Sequence, residues 1–146
     1  MSQVLEMFNS VGGEQFSKLV CQMAPYFSTI EPRLVRLAPG AAEARVPFRR
    51  EVTNHLGTLH AIALCNAAEL VAGTMTDVSI PPGARWIPKG MAVEYLAKAR
   101  TDVRAVADGS GVDWSTPGDK VVPVDVFDAE DRKVFSARIT MNVKMG

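Results

Sequence analysis

The sequence predicts an α+β fold in which one long helix lies across a curved antiparallel sheet. Three features predict it: a helical stretch between Thr58 and Gly73 with little polar surface, flanking segments in which apolar and polar residues alternate, and turn-rich connections between those segments. Such a helix has to be covered on most sides, and the apolar face of a sheet covers it. We expect a second copy of the chain to cover the remaining apolar surface, which makes the protein a homodimer.

Length, composition and charge limit the class of protein. The 146 residues fit one domain, and a hydrophobic content of 47% is that of an ordinary globular chain. Sixteen basic and sixteen acidic residues give zero net charge, so no overall electrostatic surface for nucleic acid or an anionic membrane is predicted. No apolar run reaches about 18 residues, and the N-terminus lacks a signal-peptide pattern. We expect a cytoplasmic protein that binds neither nucleic acid nor membrane.

The elements before the central helix are two helical pieces and a β-hairpin. Residues 1–27 have a helical pattern that breaks at Gly12. After them the period changes: residues 30–37 are typical of a strand, Pro39 begins a turn, and residues 42–48 alternate between apolar and polar side chains. This pattern predicts a hairpin with one solvated face.

The central helix carries a carboxylate that needs an explanation. Thr58 can cap its N-terminus and Gly73 suits its C-terminal end. Burial of the Glu69 charge is unfavourable unless it is paired or hydrogen-bonded, so Glu69 is either a structural residue or a catalytic base or nucleophile. His60 precedes it by about two and a half turns, which places the two on opposite faces. If both serve one site, they come from two copies of the helix.

Four strands follow the helix. Residues 91–96, 101–107, 122–126 and 135–143 have strand patterns and are separated by turn-rich segments, which predicts an antiparallel meander. The two cysteines, Cys21 and Cys65, have no spacing typical of a metal site, so we expect two buried free thiols.

Four residues at fixed spacing carry a resemblance to a known family. Asn54, Gly57, His60 and Glu69, with the order hairpin, helix and meander, resemble the fingerprint of the hotdog-fold acyl-CoA thioesterases, specifically the phenylacetyl-CoA thioesterase-like branch. Tyr95–Arg100 is similar to the family segment that closes the long strand after the helix. The resemblance implies a hotdog domain over residues 28–146, with its sheet wrapped around the central helix, and an N-terminal helical extension over residues 1–27.

The resemblance also implies hydrolysis of an acyl thioester at the interface of two subunits. In this pattern, Glu69 of one chain activates water as general base or attacks the carbonyl as nucleophile. Backbone amides near His60 and Ala61 of the other chain hold the oxyanion. Asn54 positions the carbonyl or the water, and His60 orients the loop that contains Gly57. The substrate is a thioester of coenzyme A or of an acyl carrier, and neither a cofactor nor a metal is implied.

Cations after the helix are candidate ligands for coenzyme A. Lys89, Lys98 and Arg100 are candidates to contact its phosphates. The implied assembly is a homodimer, with a homotetramer as a dimer of dimers. The chain departs from the family pattern at Ala61-Ile62, where the closest relatives have Gly-Gly, so the acyl pocket is expected to be narrower or differently angled.

Other functions stay open at this point. A non-catalytic protein that binds acyl-CoA or an acyl carrier would use the same groove, and the side chains of Ala61-Ile62 favour it. A hotdog hydratase or dehydratase needs an Asp-His pair in one site, which the spacing of His60 and Glu69 argues against. A cystatin-like binder would explain the order of elements but would leave Asn54 and Glu69 without a function.

Overall fold

The computed structural model describes residues 2–146 and has the hotdog architecture that the sequence predicts. A six-stranded antiparallel sheet curves around one long helix, and a second helix lies at the N-terminus. The helices are α1 (Gln3–Met23) and α2 (Ala61–Ser79), and the strands are β1 (Arg33–Ala38), β2 (Ala41–Val46), β3 (Arg85–Tyr95), β4 (Val103–Asp108), β5 (Gly118–Phe127) and β6 (Lys133–Lys144). Two 3₁₀ turns, Pro25–Ile30 and Arg50–Val52, lie before α2.

The sheet has the strand order β1-β2-β4-β5-β6-β3, and all neighbours are antiparallel. The predicted hairpin is confirmed as β1 and β2, and the alternating residues Ala42, Ala44 and Val46 of β2 are buried on the α2 side. The order makes β1 and β3 the two edge strands. Because β3 pairs only with β6 among residues 2–146, its other edge is unpaired in this part of the chain.

Helix α2 fills the concave side of this sheet. More than half of its residues are buried, and it contacts every strand of the sheet. By length and apolar content α2 could cross a membrane, a property that core helices share, but 61% of its apolar window is buried inside the protein.

The ends of α2 differ from those that the sequence predicts. The N-cap is His60, whose Nδ1 accepts a 3.1 Å hydrogen bond from the Ile62 N–H, and not Thr58. The helix continues past Gly73 to Ser79. Its later hydroxyl residues do not end it because their side chains donate to carbonyls one turn earlier, as Thr76 does to Ala72 at 2.7 Å.

Helix α1 packs against β1. Its non-helical residue Gly12 confirms the predicted break. The hydroxyl of Ser17 accepts a 2.8 Å hydrogen bond from the Leu34 N–H of β1 and donates to the Gly13 carbonyl at 2.6 Å. Phe16 of α1 is part of the same core cluster as α2. The assignment of residues 1–27 as a separable extension stays a prediction.

Candidate active site

Glu69 lies in the middle of α2 and is half-buried. Within residues 2–146 its carboxylate makes no hydrogen bond or ion pair. The next two residues of the same helical stripe, Gly73 and Asp77, face Trp86 of β3: the indole lies on Gly73 and its N–H donates to Asp77. Since residues four apart share a helix face, Glu69 points toward the same side of the sheet. An unpaired, half-buried carboxylate therefore lies beside the free edge strand.

The α2 side of β3 carries apolar side chains that residues 2–146 cover only in part. Met91, Val93 and Tyr95 are register partners of three buried residues of β6, so they point to the α2 side. Yet Met91 is 37% and Tyr95 60% exposed. Ile62, on the first turn of α2, is 51% exposed. Glu69 thus lies between two apolar surfaces that both reach solvent.

The N-terminus of α2 presents an open backbone amide. The His60 N–H donates to the Val52 carbonyl at 2.9 Å, and the Ile62 N–H donates to the His60 ring. The Ala61 N–H has no acceptor in the part of the chain that the structure describes. An unpaired amide at the positive end of a long helix can stabilise a developing oxyanion. His60 accepts through Nδ1, so its ring holds the first turn of the helix in place.

Asn54 organises the loop before α2. Its Oδ1 accepts from the N–H groups of Leu56 at 2.9 Å and Thr58 at 3.2 Å, and its Nδ2 donates to the Thr58 hydroxyl at 2.9 Å. Gly57 has a φ of 77°, a left-handed conformation that a glycine adopts without strain, and its N–H donates to the Asn54 carbonyl. The side chain of Asn54 is thus engaged inside the loop, where it positions the helix N-terminus.

The predicted site residues fall into two groups within one chain. Asn54, Gly57, His60 and Ala61 lie together at the N-terminus of α2, whereas Glu69 lies about 12 Å further along the helix axis. The structure does not bring the two groups together in a single copy. His60 also lines a cavity of about 340 Å³ between α2 and the 3₁₀ turns, and Glu69 does not.

The candidate cations are not equivalent. Lys98 and Arg100 flank Ala99, whose carbonyl accepts a 2.9 Å hydrogen bond from the Leu59 N–H and so fixes the loop before α2. Both side chains are exposed. Lys89 lies on β3 and forms a 2.9 Å ion pair with Asp119. The structure therefore places Lys98 and Arg100, but not Lys89, next to the predicted oxyanion amide.

Trp86 and Asp77 are not predicted from the sequence, and Gly73 does not end the helix as its residue type predicts. In the structure Gly73 lies mid-helix between Ala72 and Thr74, and a glycine there can have a packing reason, but nothing in the sequence identifies Trp86 as its partner. Cys65, one turn before Glu69, is only half-buried, and burial raises the pKa of its thiol. A protonated thiol is a poor nucleophile, which agrees with the expectation of a free cysteine.

Comparison with known proteins gives a family and a fold. The family model described as a domain of unknown function, DUF4442, matches residues 12–143. No curated protein matches the chain. The crystal structure of genomics target APC5556 is 60% identical, with a TM-score of 0.91 over 99% of this chain and 97% of that chain.

Two thioesterase structures share the fold at low identity. Thioesterase HI1161 from Haemophilus influenzae is 16% identical, with a TM-score of 0.78 over 90% of both chains. A thioesterase family protein from Silicibacter pomeroyi is 19% identical, with a TM-score of 0.76 over 89% of this chain and 96% of that chain. These likenesses confirm the hotdog fold that the resemblance implies.

Proposed function

The chain belongs to the DUF4442 family and has the hotdog fold of the thioesterases, and from this premise we propose that it hydrolyses acyl-CoA or acyl-carrier thioesters. The observation that carries the proposal is Glu69. A half-buried carboxylate that has no partner among residues 2–146, beside partly exposed apolar surface, is a candidate catalytic group because a purely structural carboxylate would be paired or hydrogen-bonded.

Glu69 acts on the thioester carbonyl in one of two ways. As general base it takes a proton from water while the oxygen of that water adds to the carbonyl carbon. As nucleophile its carboxylate adds to the same carbon, the thiolate leaves, and water then hydrolyses the mixed anhydride. In both cases the carbon–sulfur bond breaks and the thiolate leaving group is protonated. Both routes develop a negative charge on the carbonyl oxygen.

The amide of Ala61 stabilises that charge, and it comes from a second copy of the chain. Within one chain Ala61 and Glu69 are too far apart along α2 to act on one carbonyl. The free edge of β3 and the exposed Met91 and Tyr95 support a homodimer in which two β3 strands extend the sheet and bury the apolar surface. Two equivalent sites then form at the interface. A dimer of dimers is a further assembly in this proposal.

Asn54, Gly57 and His60 position the oxyanion amide and do not touch the substrate. The Asn54 side chain is engaged within the loop, and the His60 ring caps the helix. Lys98 and Arg100 contact the phosphates of coenzyme A, because both are exposed next to that loop and Arg100 has no ion-pair partner within residues 2–146. Lys89 is the weaker candidate, since Asp119 already neutralises it.

A binding protein without turnover is the second candidate function. The observation that favours it is Ile62, whose side chain is large and exposed at the start of α2, where it narrows the approach to the Ala61 amide. A ligand could then bind in the groove with its carbonyl held away from the amide.

The test compares thiol release by the wild type and Glu69→Gln on a panel of short, medium, long and aromatic acyl-CoAs. Glu14→Gln is the matched control, because it removes an exposed carboxylate from α1. We expect Glu69→Gln to lose about two orders of magnitude in kcat, and the control to lose nothing. Equal activity of wild type and Glu69→Gln would remove Glu69 from the mechanism. If neither the wild type nor Glu69→Gln releases thiol, but an acyl-CoA raises the melting temperature of both, the protein binds acyl-CoA without turnover.

A further inference from the structure

Trp86, at the start of β3, has its ring fixed on α2 by two contacts. A methyl group added to Gly73 would lie 2.9 Å from Cη2 of the indole, so the ring occupies the space that a side chain would take. The indole N–H donates a 2.9 Å hydrogen bond to Oδ1 of Asp77, one turn further along the helix. The first contact fixes the position of the ring and the second fixes its orientation.

The ring lies close to Glu69 along the helix. Glu69, Gly73 and Asp77 are four residues apart and form one stripe, with about 6 Å of axial rise between successive members. Trp86 contacts the last two members of the stripe. The open part of the stripe therefore ends about one helical turn beyond the Glu69 carboxylate.

Side chains of β3 form the opposite wall of this open part. Met91, Val93 and Tyr95 point to the α2 side, as their pairing with buried residues of β6 requires. We call the space between these three residues and the Glu69 stripe the acyl slot. Because Trp86 packs near the C-terminal end of α2, β3 runs antiparallel to the helix. The slot is thus closed at its Trp86 end and open toward the N-terminus of α2.

We propose that Trp86 is the end wall of the acyl slot and limits the length of the acyl chain that the slot accepts. The proposal rests on the proposed function, in which Glu69 acts on the carbonyl carbon. An acyl chain that runs from this carbon toward the wall has about 6 Å before it meets the indole, which is room for a few methylene groups.

A purely structural role for Trp86 makes a different prediction. If the indole only holds β3 against α2, its loss weakens the fold and lowers activity on all substrates by a similar factor. If it is an end wall, its loss changes the order of substrates, because longer chains then enter the vacated space. The chain-length preference therefore separates the two roles, whereas a loss of activity alone does not.

The experiment measures kcat/KM for acetyl-, butanoyl-, hexanoyl-, octanoyl- and phenylacetyl-CoA with the wild type and Trp86→Leu. Trp114→Leu is the matched control, since Trp114 is the other tryptophan, is also half-buried and donates its N–H to the Gly109 carbonyl. We expect Trp86→Leu to raise the octanoyl-to-butanoyl ratio at least about tenfold, because one methylene group in an apolar pocket changes kcat/KM by about 10-fold or more. Trp114→Leu should leave that ratio unchanged.

An unchanged ratio in Trp86→Leu overturns the proposal, and so does a wild type that prefers octanoyl- to butanoyl-CoA. If Trp86→Leu does not fold, Gly73→Ala is measured instead: the added methyl group must displace the ring and should change the activity on hexanoyl-CoA relative to acetyl-CoA, and an unchanged ratio overturns the proposal. If the wild type hydrolyses no thioester, the proposed function fails, and the wall is tested by binding of S-butyl- and S-octyl-CoA thioethers. The ratio of the affinities for the octyl and butyl thioethers must then be higher in Trp86→Leu than in the wild type. An equal ratio refutes the end wall.

Discussion

The side chains of Asn54 and Thr58 are hydrogen-bonded to each other across the loop that leads into α2. Nδ2 of Asn54 donates to the Thr58 hydroxyl at 2.9 Å, while Oδ1 accepts from the Thr58 N–H at 3.2 Å. The loop therefore has a fixed shape before the helix begins. Since the Ala61 amide follows directly, its position depends on this pair.

Asn54→Ala should lower the free energy of unfolding by about 0.5–1.5 kcal/mol, because it removes the acceptor of the Leu56 and Thr58 amides in a partly exposed loop. Asn54→Asp is the control, since a carboxylate oxygen still accepts from both amides and only the Nδ2 donor is lost. Urea denaturation measures the difference. If Asn54→Ala unfolds at the same urea concentration as the wild type, the side chain does not hold the loop.

Met91→Lys should prevent self-association. The substitution places a charge on the uncovered α2 side of the edge strand β3, where the proposed homodimer buries apolar surface. Val121→Lys is the control, because Val121 is also exposed, at 51% against 37% for Met91, but lies on the opposite face of the sheet, on β5. Light scattering coupled to size exclusion should give a monomer for the first variant and at least a dimer for the second. A dimeric Met91→Lys would contradict the proposed interface.

Arg45→Gln should stabilise the protein at low salt. Arg45 is the direct register partner of both Arg33 and Arg104 on the outer face of the sheet, and like charges in directly opposed positions repel. Within residues 2–146, neither Arg33 nor Arg45 has an ion-pair partner. The free energy of unfolding should rise by about 0.2–1 kcal/mol in about 20 mM salt. This gain should disappear in about 1 M salt, which screens the repulsion between the charges. Arg138→Gln, which breaks an exposed pair with Glu94, should show no gain at either salt concentration.

Asp128 should contribute stability that is lost on acidification. The backbone N–H of Arg132 donates to its carboxylate and, with the Glu130 N–H and the Arg132 guanidinium, holds the pKa of Asp128 below its ordinary value. A lowered folded-state pKa gives stability that is complete above the unfolded-state value and falls as pH drops through the folded-state value. The melting temperatures of wild type and Asp128→Asn should therefore differ most at neutral pH and converge below about pH 4. A difference that does not change with pH would contradict this role.

Ser17→Ala should loosen α1 from the sheet. The Ser17 hydroxyl is the acceptor for the buried N–H of Leu34 on β1, and alanine leaves that N–H without a partner. We expect a loss of about 1–3 kcal/mol. Amide hydrogen exchange of Leu34 should accelerate in the variant, whereas Val124 in the central strand β5 should keep its protection. Unchanged exchange at Leu34 would argue against this contact.

The positions of the strands could be predicted well, but the predicted meander is wrong for β3, which pairs with β6 and not with β4. The ends of the helix could not be predicted. A period of two in residues such as Ala42, Ala44 and Val46 is a direct consequence of one buried face, so the hairpin is visible in the sequence. Thr58 is a residue type that caps helices, but its hydroxyl is hydrogen-bonded to Asn54 instead. Gly73 is a residue type that ends helices, but in the structure it lies inside α2, where Trp86 packs on it. The Trp86 contact comes from another element, so local pattern does not contain it, whereas the Asn54–Thr58 contact lies within one loop.

The candidate site could be predicted only in part, because its surroundings depend on contacts between segments that are distant in sequence. The spacing of His60 and Glu69 along one helix requires two copies for one site, and this follows from helical geometry alone. The surroundings of Glu69 depend instead on which strand lies beside α2. That strand is β3 because β3 pairs with β6 and not with its neighbour in sequence, β4. No local feature of Trp86 indicates this pairing, so its contact with Gly73 could not be foreseen.

The pairing of β3 with β6 also determines the order of events during synthesis on the ribosome. Strand β3 ends at Tyr95, but its partner spans Lys133–Lys144, so β3 has no hydrogen-bonding neighbour until that later segment has emerged. Long-range pairings of this kind form slowly, and unpaired apolar strands are prone to aggregate in the meantime. A nascent chain that stalls after β5 therefore exposes both edges of β3 and the Glu69 face of α2, and it is in this state that chaperones would be needed.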